Sequence, residues 1–179
     1  MDLSDEEIVV LIQNGETEMV GVLIDRYEEK LKRYGRRFLS DSDDVEDIVQ
    51  EAFVRAYTNM KSFDANRKFS PWLYRITHNL LVNKIRSKSR YIPFNFDTDT
   101  IWPYLQSDNS ADSEAIQSEL QNQMSVHLNE LDTKYKEPLI LFYYESMSYE
   151  EISEILRIPV TTVGVRIKRA KDKLKKIIS

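Results

Sequence analysis

An all-α protein of two small helical domains joined by a flexible linker, the second carrying a helix-turn-helix, is what the sequence predicts, and three observations predict it. The 179 residues hold only four glycines, none grouped, too few for a turn-rich β architecture. Apolar residues recur at steps of three and four, clearest in Val20, Leu23, Ile24, Tyr27, Leu31, Tyr34 and Phe38. From Tyr91 to about Asp112 that period vanishes, Pro93 and Pro103 interrupt, and Asp, Ser, Thr and Asn dominate. The predicted domains are therefore 1–90 and 113–179, with 91–112 as linker.

The elements follow in order. Ser4 with Glu7 is a capping-box pattern for a short helix through Ile8, Leu11 and Ile12, and Gly15 stands where a helix ends. The long stripe from Val20 to Phe38 makes the second helix. Asp41 or Ser42 can cap a third, with Asp43, Asp44 and Glu46 at the favourable end of its dipole and Val45, Ile48, Val49, Ala52, Phe53 and Ala56 inward. A polar loop, Lys61 to Phe69, leads to Ser70-Pro71, an N-cap and a first-turn proline for a fourth helix reaching about Arg90.

Within the linker, Phe94, Phe96, Trp102 and Tyr104 are too apolar for a purely solvated tether, which predicts that they dock on the protein or on a partner. Beyond it, Ile116, Leu120, Met124, Leu128 and Leu131 form an amphipathic helix, and Leu139 to Tyr144 lie in another, with Pro138 expected near its first turn. Ser148 and Glu151 repeat the capping box before Tyr149 to Leu156. Arg157-Ile158-Pro159 breaks that helix. Thr161 or Thr162 can cap the last one, whose Val163, Ile167, Ala170 and Leu174 face inward.

Composition removes whole classes of function. With no cysteine there is no disulfide framework, zinc ribbon, iron–sulfur cluster or thiol nucleophile, and two histidines 49 positions apart offer little to a metal, so no cofactor is expected. Phosphate-cradling glycine loops are missing. Neither a basic N-terminal region before an apolar stretch nor an 18-residue apolar run occurs, which predicts a cytoplasmic protein.

Charge is segregated. Residues 1–65 carry 8 basic and 16 acidic side chains, 66–90 carry 7 and 0, 91–160 carry 3 and 13, and 161–179 carry 7 and 1. Two cationic blocks in an otherwise acidic chain predict two separate contacts with a polyanion. In the last helix, Thr161, Val165, Lys168, Arg169 and Asp172 lie opposite the apolar stripe, with Thr162, Gly164 and Arg166 on the flanks. A basic second helix after a tight turn is the pattern that enters a DNA major groove. Arg169 and Lys168 suit guanine edges or phosphate, and Val165 suits a thymine methyl. In the fourth helix Leu73, Ile76, Thr77 and Leu80 point inward, while Arg75, Asn79, Val82 and Arg86 project outward beside Trp72, Asn83 and Arg90. With Phe63, Asn66, Arg67, Lys68 and Phe69 of the loop, that face offers cations for phosphates and aromatic surfaces for unstacked bases, as single-stranded nucleic acid requires.

The segments Asp44-Val45-Glu46-Asp47-Ile48-Val49-Gln50-Glu51-Ala52-Phe53, Phe69-Ser70-Pro71-Trp72-Leu73-Tyr74-Arg75-Ile76 and Ser148-Tyr149-Glu150-Glu151-Ile152 resemble, in this order, the extracytoplasmic-function class of bacterial sigma factors. The resemblance covers nearly the whole chain except the linker. It implies a non-enzymatic subunit that binds core RNA polymerase and directs promoter-specific initiation. Asp47, Gln50, Glu51 and Arg55 would dock on the clamp coiled coil of the largest polymerase subunit. Residues Lys61 to Phe69 and the fourth helix would open the minus-10 element and hold an extruded base. Thr161, Thr162, Val165, Arg166, Lys168 and Arg169 would read the minus-35 element as duplex, and the linker would thread towards the active-site cleft. An anti-sigma factor, often membrane-bound, is the implied regulator.

The chain departs from the family pattern after Pro159, where Thr161 replaces a usual Gly, Gly164 a basic or polar residue and Val165 a hydroxyl. Gly164 costs up to about 1 kcal/mol of helix stability relative to alanine, so unusual or weaker minus-35 reading is expected. Asn83 stands where Asp is frequent. The alternative of a sigma-mimicking adaptor, which sequesters an anti-sigma factor without touching promoters, predicts loss of the basic faces, yet Arg75, Arg86, Lys168 and Arg169 are kept. A plain helix-turn-helix repressor leaves the acidic third helix and the aromatic loop unexplained.

Overall fold

The computed structural model describes residues 3–88, 98–101, 103, 128 and 131–178. The described elements are helical, and the chain divides into two compact units, Met1–Pro93 and Phe94–Ser179. Among the described residues no helix is long and apolar enough to cross a membrane.

Among the described residues the first unit holds four α-helices and two short 3-10 turns, Thr17–Met19 and Met60–Ser62. α1 (Asp5–Gln13) has the expected capping box: Ser4 accepts from the Glu7 N–H, and the Glu7 carboxylate accepts from the Ser4 N–H at 2.7 Å. Hydrogen bonding to Ser4 holds the Glu7 carboxyl below its ordinary pKa. Gly15, at φ 109°, takes the left-handed turn that ends the helix. α2 (Val20–Arg36) buries Leu23, Tyr27, Leu31 and Tyr34, and Phe38 continues the stripe just past its end. In α3 (Ser42–Asn59) the cap is Asp41, whose carboxylate accepts from the N–H groups of Asp43 and Asp44. Val45, Ile48, Val49, Ala52 and Ala56 are buried as predicted, whereas Phe53 is only half-buried.

α4 (Phe69–Lys88) starts one residue before the predicted cap, so Ser70 lies inside its first turn. The acceptor that replaces a local hydroxyl is distant: the Phe69 N–H donates to a Glu6 carboxylate oxygen at 2.9 Å. A carboxylate at a helix N-terminus satisfies an orphan donor and complements the dipole. Residues 89 and 90, to which the predicted helix extended, lie outside the described residues.

The inward face of α4 also differs from the expectation. Leu73 and Thr77 are buried, but so are Tyr74, His78 and Leu81, while Ile76 and Leu80 are half-buried. The polar atoms on Tyr74 and His78 disguised a core stripe. His78 Nδ1 lies 3.0 Å from the Tyr34 hydroxyl, and the Tyr34 ring meets Phe38 and Tyr74 edge-on at 4.9 and 5.3 Å. A buried ring with a hydrogen-bond partner is an acceptable core group. α3 packs against both α2 and α4, so this aromatic cluster sits where the bundle meets.

In the second unit, α5 (Thr98–Ile101) is a single turn inside the predicted linker, and Ile101 is fully buried. Phe94, Phe96, Trp102 and Tyr104 lie outside the described residues, as does most of the predicted helix through Ile116, although its Leu128 and Leu131 are buried. α6 (Thr133–Tyr143) contains Pro138 at its sixth position, beyond the expected first turn. A proline there leaves the Lys134 carbonyl without its usual helical donor. α7 (Tyr149–Leu156) repeats the capping box between Ser148 and Glu151 and buries Ile152 and Ile155. Arg157, in the left-handed conformation at φ 54°, ends it, and Ser153 donates its hydroxyl to the Ile158 carbonyl at 2.6 Å.

α8 (Val160–Ile178) begins before either threonine proposed as its cap. The Pro159 carbonyl accepts from the N–H groups of Thr162 and Val163 at 2.9 and 3.1 Å, so Thr161 and Thr162 stand within the first turn. Val163, Ile167, Ala170 and Leu174 are buried as predicted, and α8 packs on both α6 and α7.

Candidate nucleic-acid interface

Three surfaces carry the predicted functional residues. The first is the outer side of α3. Asp47, Gln50, Glu51 and Arg55 are all exposed there, and Arg55 donates to Glu51 at 2.7 Å. Two residues of this surface escaped the sequence reading: Val54 is 60% exposed and Tyr57 48%. At 100° per residue Val54 falls between Asp47 and Gln50, so the acidic and amide groups ring an apolar spot. The available signal was a valine off the spacing of an otherwise regular inward stripe.

The second surface is the loop from Lys61 to Lys68 together with the outer face of α4. Trp72, Arg75, Asn79, Asn83 and Arg86 fall within an arc of about 80°. Asn79, Asn83 and Arg86 are exposed, and Trp72 and Arg75 half-buried. Asn66, Arg67 and Lys68 are exposed in the loop, where Asn66 donates its backbone and side-chain N–H groups to Asp64. Those bonds hold the Asp64 carboxyl below its ordinary pKa. Lys84, a cation of the same helix, falls off this face and pairs with Asp44 of α3 at 2.8 Å.

Phe63 and Phe69, expected as stacking surfaces for bases, are placed otherwise. They are 8% and 1% exposed, and Phe69 also meets Tyr27 edge-on at 5.7 Å. Both rings lie against the indole of Trp72, with centroids 4.7 and 5.7 Å from it. Burial of these side chains removes water from large apolar surfaces, which outweighs any benefit of leaving them free. Trp72 is thus the member of this aromatic group that reaches the surface, seated on two core rings.

The third surface is the outer side of α8. Thr161, Val165, Lys168, Arg169 and Asp172 are exposed, Val165 at 48%. Thr162 and Arg166 are half-buried on the flank, as predicted. Gly164 has a local reason: a Cβ there would stand 3.2 Å from Cε2 of the Tyr149 ring. The helix-turn-helix closes over that contact.

A tight α7–turn–α8 pair with a cationic outer face defines a helix-turn-helix protein of the DNA-binding kind, and a second helical unit carries cations, amides and an indole on one face. Comparison with known proteins refines that class. Residues 23–91 match the family model for Sigma-70 region 2, and residues 123–174 that for Sigma-70, region 4. The ECF RNA polymerase sigma factor SigW of Bacillus subtilis (strain 168) is 35% identical, over 98% of this chain and 97% of its own. The ECF RNA polymerase sigma-E factor of Haemophilus influenzae is 32% identical over 95% and 93%. Among solved structures, CnrH in complex with the cytosolic domain of CnrY aligns with TM-score 0.71 at 26% identity, covering 97% of this chain and 96% of that one. The chain belongs to the ECF sigma factors of RNA polymerase, the proteins that direct transcription initiation.

Proposed function

We propose that this sigma factor uses its three surfaces for three separate tasks. The α3 surface, centred on Val54 and carrying Asp47, Gln50, Glu51 and Arg55, binds core polymerase. The loop and the α4 face, with Asn66, Arg67, Lys68, Trp72, Arg75, Asn79, Asn83 and Arg86, engage the minus-10 element as separated strands. Phe63 and Phe69 act beneath Trp72 rather than on the bases. The α8 face, with Thr161, Thr162, Val165, Arg166, Lys168 and Arg169, reads the minus-35 element as intact duplex. Residues 91–112 connect the two DNA contacts and include the α5 turn with its buried Ile101.

The observation that carries this reading is Trp72: an indole at the surface, backed by two core rings and sharing a helix face with Arg75 and Arg86. Duplex binding alone has little use for such a platform, whereas an unstacked base gains roughly 1–3 kcal/mol on one. Opening a base step costs a few kcal/mol, so the face works only when polymerase and the minus-35 contact hold the complex. The protein acts by binding, in the cytoplasm, without covalent chemistry of its own. The CnrH structure holds the cytosolic domain of CnrY, which supports a protein partner for this chain, and an anti-sigma factor is the regulator we assign to that role.

The test is a gel-shift titration on a promoter library with and without core polymerase, followed by sequencing of in vitro transcripts. Promoter-selective complexes form only with polymerase present. Tight, sequence-specific duplex binding by the chain alone contradicts the proposal.

A further inference from the structure

The loop between α3 and α4 is tied at both ends to α1. The Gln13 side-chain amide donates to the Met60 carbonyl at 2.9 Å and to the Phe63 carbonyl at 2.8 Å, fixing the point where the chain leaves α3. At the other end the Glu6 carboxylate takes the Phe69 N–H, the first donor of α4. Glu6 and Gln13 stand two turns apart on α1, so one short helix sets the span of the whole loop. Between those ends the loop is held locally, with the Asn66 and Arg67 N–H groups donating to Asp64. Ala65 borders an open groove of about 430 Å³, lined on the other side by Leu3, Glu6, Glu7, Val10 and Leu11.

That arrangement assigns α1 a task outside both matched family segments, since the region 2 match begins at residue 23. We infer that Gln13 and Glu6 are positioning residues for promoter opening: they hold the ends of the 60–69 loop at the separation that presents Asn66, Arg67 and Lys68 beside Trp72. The inference rests on the reading of this loop and α4 as the minus-10 contact. Without the Gln13 donor, the Met60 and Phe63 carbonyls turn to water and the loop entry is released. Phe63, the ring closest to Trp72, moves with it. The consequence is confined to the single-stranded step, because neither residue lies on the α3 or α8 surface.

The experiment uses full-length Gln13→Leu, Glu6→Ala and Glu6→Gln chains in holoenzyme with core polymerase. Open-complex formation is followed on a duplex promoter and on the same promoter premelted across the minus-10 element, with holoenzyme assembly measured in parallel. Gln13→Leu and Glu6→Ala lower the opening rate on duplex about tenfold, the effect of one to two lost hydrogen bonds. Premelting restores both, and Glu6→Gln, which keeps an oxygen acceptor for the Phe69 N–H, opens duplex like the parent. A defect equal on duplex and premelted templates overturns the inference, as does normal opening by both Gln13→Leu and Glu6→Ala. If the unsubstituted holoenzyme opens no promoter at all, it is the minus-10 reading that fails.

Discussion

Gly164 and Tyr149 are in contact across the helix-turn-helix: the glycine leaves the tyrosine ring just enough room, and a Cβ would sit 3.2 Å from Cε2. Two terms therefore oppose each other at position 164. Alanine gains up to about 1 kcal/mol of helix propensity but pushes the ring by a few tenths of an ångström against Phe142, its neighbour at 5.2 Å. Gly164→Ala alone should change the amide-exchange protection of α8 little. In a Tyr149→Ala background the same substitution should raise protection by about 0.5–1 kcal/mol, the coupling that a double-mutant cycle reads. Equal effects in both backgrounds would show that the contact carries no energy.

Burial lowers the pKa of His78 from 6.5 to about 4. The unfolded chain then binds a proton that the folded chain refuses between those values, so stability is complete above about pH 6.5 and falls as pH drops towards 4. From pH 7 to pH 5 the loss from this group is about 2 kcal/mol. Urea unfolding of a Trp102→Phe chain, followed by Trp72 fluorescence, should show it, and His78→Gln should remove that part of the pH dependence. An unchanged pH slope in the His78 variant would place the titration elsewhere.

Val54 is exposed without packing inward, so its replacement tests the α3 surface cleanly. Val54→Asp should weaken holoenzyme assembly about tenfold or more, the scale of an interface anchor, while leaving the melting temperature of the free chain unchanged. Competition for core polymerase with a labelled parent chain measures it. Normal competition would remove Val54 from the docking surface.

Much of the architecture was legible because it rests on local chemistry. The two capping boxes, the Asp41 cap and the apolar stripes of α2, α3 and α8 are each written within a few residues of where they act. Misread features depend on distant partners. Glu6 caps α4 across 63 positions, so Ser70 stood as the nearest visible cap. Tyr74 and His78 looked polar until Tyr34 supplied a partner in the core. Phe63 and Phe69 share a composition with base-stacking residues, and only tertiary packing distinguishes rings that touch Trp72 from rings that touch DNA. The exposed Thr161, Lys168 and Arg169 of α8 were readable from periodicity, because their exposure follows directly from the opposite buried stripe, whereas the displaced stripe of α4 leaves Arg75 half-buried.

With α4 on separated strands and α8 on duplex, transcription by holoenzymes carrying Trp72→Ala or Arg169→Ala on paired templates separates the two contacts. Both variants, once shown to assemble with core polymerase, should initiate poorly on a fully duplex promoter. Premelting the minus-10 element should restore Trp72→Ala and leave Arg169→Ala impaired. Rescue of both variants, or of neither, would contradict the account.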